Sequence, residues 1–193
     1  MRSSSYIYQR IALGLVALVL ISANHIGYAD SSLEAYKIQP GDVLQISIWH
    51  EPDLLSSVLV RPDGGISFPL VGEVQAAGKT VEELRELVTT RVTKYIPDPV
   101  ITIDITALSG NRIYVIGKVQ RPGEFPVNRY VDIVQALSMA GGMNPFASAN
   151  NIKVLRRENG KLFAIPFRYG DIEKGENLYQ DIILKSGDII MVP

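Results

Sequence analysis

The fold is decided by Tyr36 to Val74, YKIQPGDVLQISIWHEPDLLSSVLVRPDGGISFPLVGEV, where short apolar runs alternate with turns built from Gly, Asp and Pro. In Gln39-Pro40-Gly41-Asp42 the proline presets φ and the glycine accepts a positive one, so a turn feeding a strand is predicted. That strand places Leu44, Ile46 and Ile48 on one face and Val43, Gln45, Ser47 and Trp49 on the other. Glu51-Pro52-Asp53 reads as a further turn. Arg61-Pro62-Asp63-Gly64-Gly65 separates Val58-Leu59-Val60 from Ile66-Ser67-Phe68 and predicts a β-hairpin between those two runs. Pro69 then leads into a third short run, Leu70-Val71-Gly72-Glu73-Val74.

The opening pattern returns at the far end of the chain, where Gly187-Asp188-Ile189-Ile190-Met191-Val192-Pro193 matches the Gly41-Asp42 turn and the strand behind it. Two copies so far apart are one turn-to-strand device used twice, not a solenoid period. Between them, Thr80-Val81-Glu82-Glu83 is a capping-box pattern, followed at helical spacing by Val81, Leu84, Val88, Val92 and Tyr95 and stopped by Pro97. Val100 to Ile105 alternates, with Ile101, Ile103 and Ile105 on one face, as a half-buried strand does. Leu108-Ser109-Gly110-Asn111 is the turn-rich stretch at which a domain boundary is expected.

Beyond that boundary, Ile113 to Val119 and Phe125-Pro126-Val127 flank the turn Arg121-Pro122-Gly123-Glu124. A short helix from Asp132 to Ala140 ends at Gly141-Gly142, which supply the left-handed residue a helix C-terminus takes. Residues 152–156 and 162–167 form a hairpin around Glu158-Asn159-Gly160-Lys161. Strand, strand, helix, strand, strand is the order a β-grasp unit requires. The expected fold class is therefore α+β: two small mixed β/α domains, 30–108 and 109–193, the second β-grasp-like and completed by the closing C-terminal strand.

Residues 1–29 read as a cleaved signal peptide. Arg2 and Arg10 precede an apolar run from Ile11 to Ile21, and Gly27 and Ala29 put small residues where a signal peptidase reads. The run falls short of the ~20 apolar residues that span a bilayer as a helix. Cleavage is expected between Ala29 and Asp30, with the mature chain outside the cytoplasm.

Without Arg2 and Arg10 the 19 basic residues of the whole chain fall to 17, against 20 acidic ones, which argues against a polyanion-binding surface and excludes nucleic acid as an expected partner. There is no cysteine, hence neither a disulfide framework nor a thiolate metal site.

Little catalytic chemistry is legible. His25 falls in the signal, so His50 is the only histidine of the mature chain, and no Gly-x-Ser-x-Gly elbow accompanies it. Gly78-Lys79-Thr80 lacks the correctly spaced upstream glycine of a phosphate-binding loop, Gly72 being one position out of register. Asp42, Asp63, Asp98 and Asp188 each stand beside Gly or Pro, where aspartates accept nearby backbone amides and shape turns. On that reading Asp→Ala at Asp42 or Asp188 costs about 1 kcal/mol. No enzyme, cofactor or metal is expected. Trp49, Tyr95, Tyr114, Phe125, Tyr130 and Phe146 could each stack on sugar rings, but aromatics at strand and helix positions more often fill a core, and Trp49 and Tyr130, beside polar loop residues, are the candidates for glycan contact.

The chain resembles the bacterial polysaccharide export proteins. Their export domain reads as a tyrosine, a Pro-Gly-Asp turn, an apolar strand, a Pro-Asp-Gly hairpin and a Pro-Leu-x-Gly-x-Val run, matched here by Tyr36, Pro40-Gly41-Asp42, Pro62-Asp63-Gly64 and Pro69 to Val74 with Gly72 in place. Val115-Ile116-Gly117-Lys118-Val119, Arg121-Pro122-Gly123 and Ala140-Gly141-Gly142 look like the family's soluble ligand-binding β-grasp (SLBB) domain. The resemblance covers nearly the whole chain after the first thirty residues, and its specificity lies in the order and spacing of these motifs together.

The resemblance implies a non-enzymatic periplasmic component of a capsule or exopolysaccharide export machine. Its implied partners are the polysaccharide, further copies of itself in a homo-oligomeric ring, an inner-membrane chain-length regulator and an outer-membrane partner. Many family members carry a lipidated cysteine at the cleavage site, which this sequence does not, so periplasmic placement is expected with outer-membrane association left open. Members that cross the outer membrane add a C-terminal amphipathic helix. Here the sequence stops on a strand at Pro193, and a ring without a membrane pore of its own is expected. The alternative is a monomeric glycan-binding or adaptor module that forms no conduit. A glycan-cleaving enzyme is a third reading, distinguished by release of reducing ends.

Overall fold

A computed structural model describes residues 35–193. The expected signal and its cleavage site at Ala29 and Asp30 lie outside the described residues. The described residues form an α+β fold with ten strands, in which two hydrophobic cores follow one another along the chain.

The first core is covered by a three-stranded sheet and a two-stranded one. β1 (Val43–Ile48) is central in the larger sheet, pairing antiparallel with β2 (Glu51–Leu59) on one side and β5 (Ile101–Ala107) on the other. β3 (Gly65–Phe68) and β4 (Gly72–Gln75) form the smaller sheet. Leu44, Ile46 and Ile48 are buried, as the alternation predicts, and meet Ile101 and Ile103 across β5. Helix α1 (Val81–Val92) packs Leu84, Val88 and Val92 onto this core. Its capping box is formed: the Glu83 N–H donates to Thr80 Oγ1 at 3.2 Å and the Thr80 N–H donates to Glu83 Oε2 at 2.8 Å, satisfying two amides that the first turn leaves without partners.

Four local expectations are corrected. The loop at Pro62-Asp63-Gly64 exists, but the strands it joins do not pair into a hairpin: β2 folds back on β1 through Trp49 and His50, and β3 pairs with β4. The reason lies at Glu51-Pro52-Asp53, which is the start of β2 and not a turn. β2 is an edge strand, where a proline without an N–H costs no ladder bond. Leu70 belongs to the β3–β4 turn and not to a strand, and it holds a left-handed φ of 64°. Tyr95 lies beyond the end of α1 and is exposed, so the helix's apolar stripe stops one turn earlier than its spacing suggests.

The second core is built on a five-stranded sheet ordered β7-β6-β10-β8-β9, where β6 is Arg112–Gly117, β7 Gly123–Pro126, β8 Ile152–Glu158, β9 Lys161–Phe167 and β10 Ile189–Val192. The closing strand β10 fills the centre, parallel to β6 and antiparallel to β8. Helix α2 (Ile133–Met139) buries Ile133, Ala136 and Leu137 against one face of this sheet, and a five-residue helix α3 (Tyr169–Glu173) follows β9. Two aspartates serve the start of α2. Asp132 Oδ1 accepts the Gln135 N–H at 2.7 Å, and Asp181 Oδ1 accepts those of Ile133 and Val134 at 3.0 and 3.1 Å. Burial, with the charge of Asp132 adding to it, pushes the Asp181 carboxyl above the ordinary carboxylate range, while the two backbone amides oppose the shift.

Candidate functional site

Two places concentrate the residues singled out by sequence. The first is where the two Gly-Asp turns meet the segment between the cores. Gly41 takes φ 96° and Gly187 φ 84°, a conformation that costs an L side chain but not a glycine. In the first turn the Asp42 N–H donates to the Gln39 carbonyl at 3.1 Å, and the Gln39 N–H donates to Asp42 Oδ2 at 2.8 Å. The second turn repeats both bonds with Asp188 and Lys185, at 3.1 and 2.8 Å. Both aspartates are buried, at 0% and 1% exposure, so each carboxylate requires further donors.

Those donors differ. Asp42 Oδ2 also accepts the Tyr36 hydroxyl at 2.7 Å, and Asp42 Oδ1 accepts the Gly110 N–H at 2.9 Å. Half-burial of the phenol, then its hydrogen bond to Asp42 and the negative charge there, push the Tyr36 hydroxyl far above the ordinary tyrosine range. Asp188 is instead held by Arg156, whose Nε and Nη2 reach its two oxygens at 3.0 and 2.6 Å. Arg156 is only 12% exposed and adds a bond from Nη2 to the Ile183 carbonyl at 3.1 Å.

Gly110 joins the two turns: its N–H goes to Asp42 and its carbonyl accepts the Ser186 hydroxyl at 2.9 Å. A side chain there would run into the Pro40 carbonyl and the Gln39 side chain. The segment linking the cores is thus clasped by both Gly-Asp turns.

The remaining motif residues serve turns as well. Asp63 Oδ1 accepts the Gly65 N–H at 2.9 Å, and the Gly64 N–H closes onto the Arg61 carbonyl at 2.8 Å. That amide and the Arg61 guanidinium hold the Asp63 carboxyl below its usual range, and Arg61, which also pairs with Glu73, does the same to the Glu73 carboxyl. Pro69 and Gly72 bracket the β3–β4 turn, and Gly117 ends β6 with φ 94° beside the Val192 carbonyl. Pro122 and Gly123 carry the chain into β7, while Gly141 and Gly142, both left-handed, end α2. Arg121 is tied to that helix end, donating to the Met139 carbonyl at 3.0 Å.

The second place is the tip of the β1–β2 hairpin. Trp49 is 72% exposed, and its backbone N–H donates to the Val100 carbonyl at 2.9 Å, which fixes the tip to the entrance of β5. His50 turns the chain with a left-handed φ of 67° and sets its ring 5.1 Å from the indole, tilted by 38°. Beside them lies an open cavity of about 320 Å³ lined by Ser47, Ile48, Trp49, His50, Glu51, Pro52, Val100 and Thr102. Tyr130 lies in the loop before α2, on the other core, and takes no part in this cavity; the two aromatics do not form one site.

Sequence reasoning missed three of these partners. Arg156 was findable: Ile152 and Val154 are core residues, and the alternation carries an arginine onto the same buried side, where a carboxylate must answer it. The pairing of Tyr36 with Asp42, and the Gly110 clasp, join positions with no periodic relation.

The fold and these turns define a class, a pair of β-rich modules whose buried carboxylates are saturated by structural donors. Residues 30–106 match the family described as polysaccharide biosynthesis/export protein, and residues 112–166 match the SLBB domain. The chain belongs to the polysaccharide export proteins, with an export domain followed by an SLBB domain. It is 28% identical over 181 residues to the EPS I polysaccharide export outer membrane protein EpsA of Ralstonia nicotianae, covering 81% of this chain and 47% of that protein. The polysialic acid transport protein KpsD of Escherichia coli is 29% identical over 126 residues, 64% of this chain and 22% of its own. The capsule polysaccharide export outer membrane protein CtrA of Neisseria meningitidis serogroup B is 25% identical over 185 residues, 84% of this chain and 45% of its own. The chain spans at most about half the length of these relatives. Among the described residues no helix is long and apolar enough to cross a membrane.

Proposed function

We propose that this chain is a non-enzymatic periplasmic component of a capsule or exopolysaccharide export machine, acting as a homo-oligomeric ring on the polymer's route out of the cell. The observation that carries this reading is the order of an export domain and an SLBB domain on one chain, the arrangement it shares with relatives named for polysaccharide export. The Gly110 clasp supports it, since a ring subunit has to transmit contacts from one domain to the other without collapsing. The donors around Asp42 and Asp188 support the absence of catalysis: a carboxylate saturated by structural hydrogen bonds is not free to act as acid, base or nucleophile. The exposed outer edge of β2 is the contact surface we assign to a neighbouring copy, because an unpaired edge is a template for another chain. Residues 30–108 and 109–193 are the two domains of this assignment, delivered by cleavage after Ala29.

Deletion of the gene should abolish surface polysaccharide while polymer accumulates inside the cell, and the wild-type gene should restore export. Light scattering of the mature protein should show a mass that rises with concentration to a closed multiple of the subunit. A single-subunit mass throughout would favour the adaptor alternative. New reducing ends on the incubated polymer would overturn the non-enzymatic assignment.

A further inference from the structure

We propose that the tip of the β1–β2 hairpin is a glycan-binding site, in which the Trp49 indole stacks on one sugar ring of a polysaccharide and Ser47, Glu51 and Thr102 bond its hydroxyls. The proposal rests on the export reading and gives that reading a point of contact with the polymer.

A single exposed apolar side chain is ordinary on a protein surface and by itself calls for no explanation. Trp49 is set apart by its surroundings. The cavity beside it, about 320 Å³, is at the small end of the range for ligand pockets and has the size for one ring rather than for a segment of protein. Its lining combines an aromatic face with two hydroxyls, a carboxylate and an imidazole. The side chains of Ser47, Glu51 and Thr102 make no hydrogen bond to another described residue, so their bonding capacity is available to a ligand.

A sugar ring has the complementary chemistry: an apolar face of C–H groups for the indole, and a rim of hydroxyls for acceptors and donors. The backbone that carries the indole is fixed. The Trp49 backbone N–H donates to the Val100 carbonyl and the His50 ring lies 5.1 Å from the indole, so part of the ordering of the platform is done before the ligand arrives.

The surface leading away from the tip offers further polar groups to a sugar chain. On the outer face of the three-stranded sheet, Ser47 is in register with Thr102, and Gln45 stands between Ser57 on β2 and Asp104 on β5. That row of polar groups can carry onward a chain bound at Trp49, while Leu55 and Leu59 stand exposed on the same face of β2.

The test uses the whole mature protein and the extracellular polysaccharide purified from the strain that encodes it, with dextran of equal size as the control polymer. Trp49 is the only tryptophan of the chain, so tryptophan fluorescence, excited beyond the tyrosine absorption band, reports this site alone. A saturable change in its emission on adding the strain's polysaccharide, larger than with dextran, is expected. Retardation in gels that contain the polysaccharide should weaken at least tenfold for Trp49→Ala, be largely retained by Trp49→Phe, and be unchanged by Tyr130→Ala. The melting temperature should stay at the wild-type value in Trp49→Ala, because the indole contributes little buried area.

Unchanged retardation of Trp49→Ala, or wild-type emission that the polysaccharide does not move, overturns the site. So does emission that changes with protein concentration and not with sugar, which would make the tip a self-association surface. Export restored by a wild-type chain that fails these binding tests would remove the site and leave the export reading standing. Normal export in the deletion strain would do the reverse, since binding to the purified polymer would still be measurable.

Discussion

The Gly41-Asp42 and Gly187-Asp188 turns are the same structure in two settings. Each uses a left-handed glycine, each closes with a reciprocal pair of bonds between the aspartate and the residue three before it, and each launches a strand through the middle of a sheet. β1 is antiparallel to both neighbours, whereas β10 is parallel to β6 and antiparallel to β8. What differs is the origin of the charge balance. Asp42 is surrounded by a phenol and backbone amides, all neutral; Asp188 faces a guanidinium. A buried carboxylate can therefore be stabilised either by several neutral donors or by one cation, and the two ways should fail differently when broken.

The largest effect is expected at Asp188→Ala. It leaves Arg156 charged, nearly buried and without its partner, and breaking a buried pair from one side costs about 4 kcal/mol. Chemical denaturation should show this as a lowered midpoint. The double variant Arg156→Met, Asp188→Ala should be more stable than Asp188→Ala alone, because no buried charge is left behind. A double variant that loses the full sum of the two single losses would mean that the ion pair is not what distinguishes this turn.

Asp42→Ala should cost somewhat less, about 3 kcal/mol, since it strips a hydroxyl and two backbone amides of their acceptor but isolates no charge. Both figures exceed the roughly 1 kcal/mol expected from the turn motif alone. The motif reveals that an aspartate accepts local amides; it does not reveal that both carboxylates are out of contact with water, or that one of them reaches Gly110.

That gap marks how far the sequence is legible. The alternation of Leu44, Ile46 and Ile48, the capping box of Thr80 and Glu83, and the strand, strand, helix, strand, strand order after Asn111 all rest on local periodicity and spacing, and all are formed. The hairpin expected across Pro62-Asp63-Gly64 fails because the turn signal there is genuine but says nothing of which strand each neighbour pairs with. The true hairpin turn, Trp49-His50, contains no glycine, asparagine or aspartate, and a histidine takes the left-handed position. The cavity at Trp49 brings Val100 and Thr102 to residues 47–52, a meeting set by the β1–β5 register and not by any spacing along the chain.

Gly110 tests whether the two turns act together. Gly110→Ala should destabilise by about 2 kcal/mol, as overpacking against a backbone carbonyl does. Because it disturbs the Asp42 turn directly and the Ser186 hydroxyl bond on the other side, protection of backbone amides from exchange should fall in both turns at once. Loss of protection confined to residues 39–42 would show that the second turn is held independently of the first.

The smallest effect is expected at Tyr36, and it carries a pH signature that Asp188 has no means to produce. Tyr36→Phe removes one of the donors to Asp42 and should cost about 1 kcal/mol at neutral pH, the others remaining in place. The phenol titrates higher in the folded chain than its ordinary value of about 10, the value it takes when unfolded, because burial and the adjacent carboxylate both disfavour the phenolate. A group whose folded pKa is raised contributes its stability fully below the unfolded pKa and loses it as pH rises beyond. The wild-type melting temperature should therefore fall above pH ~10 more steeply than that of Tyr36→Phe, so that the two curves converge on the alkaline side. Parallel curves through that range would mean that the Tyr36 hydroxyl is not held against Asp42 in solution, and the contrast between a neutral and a charged set of donors would lose its first member.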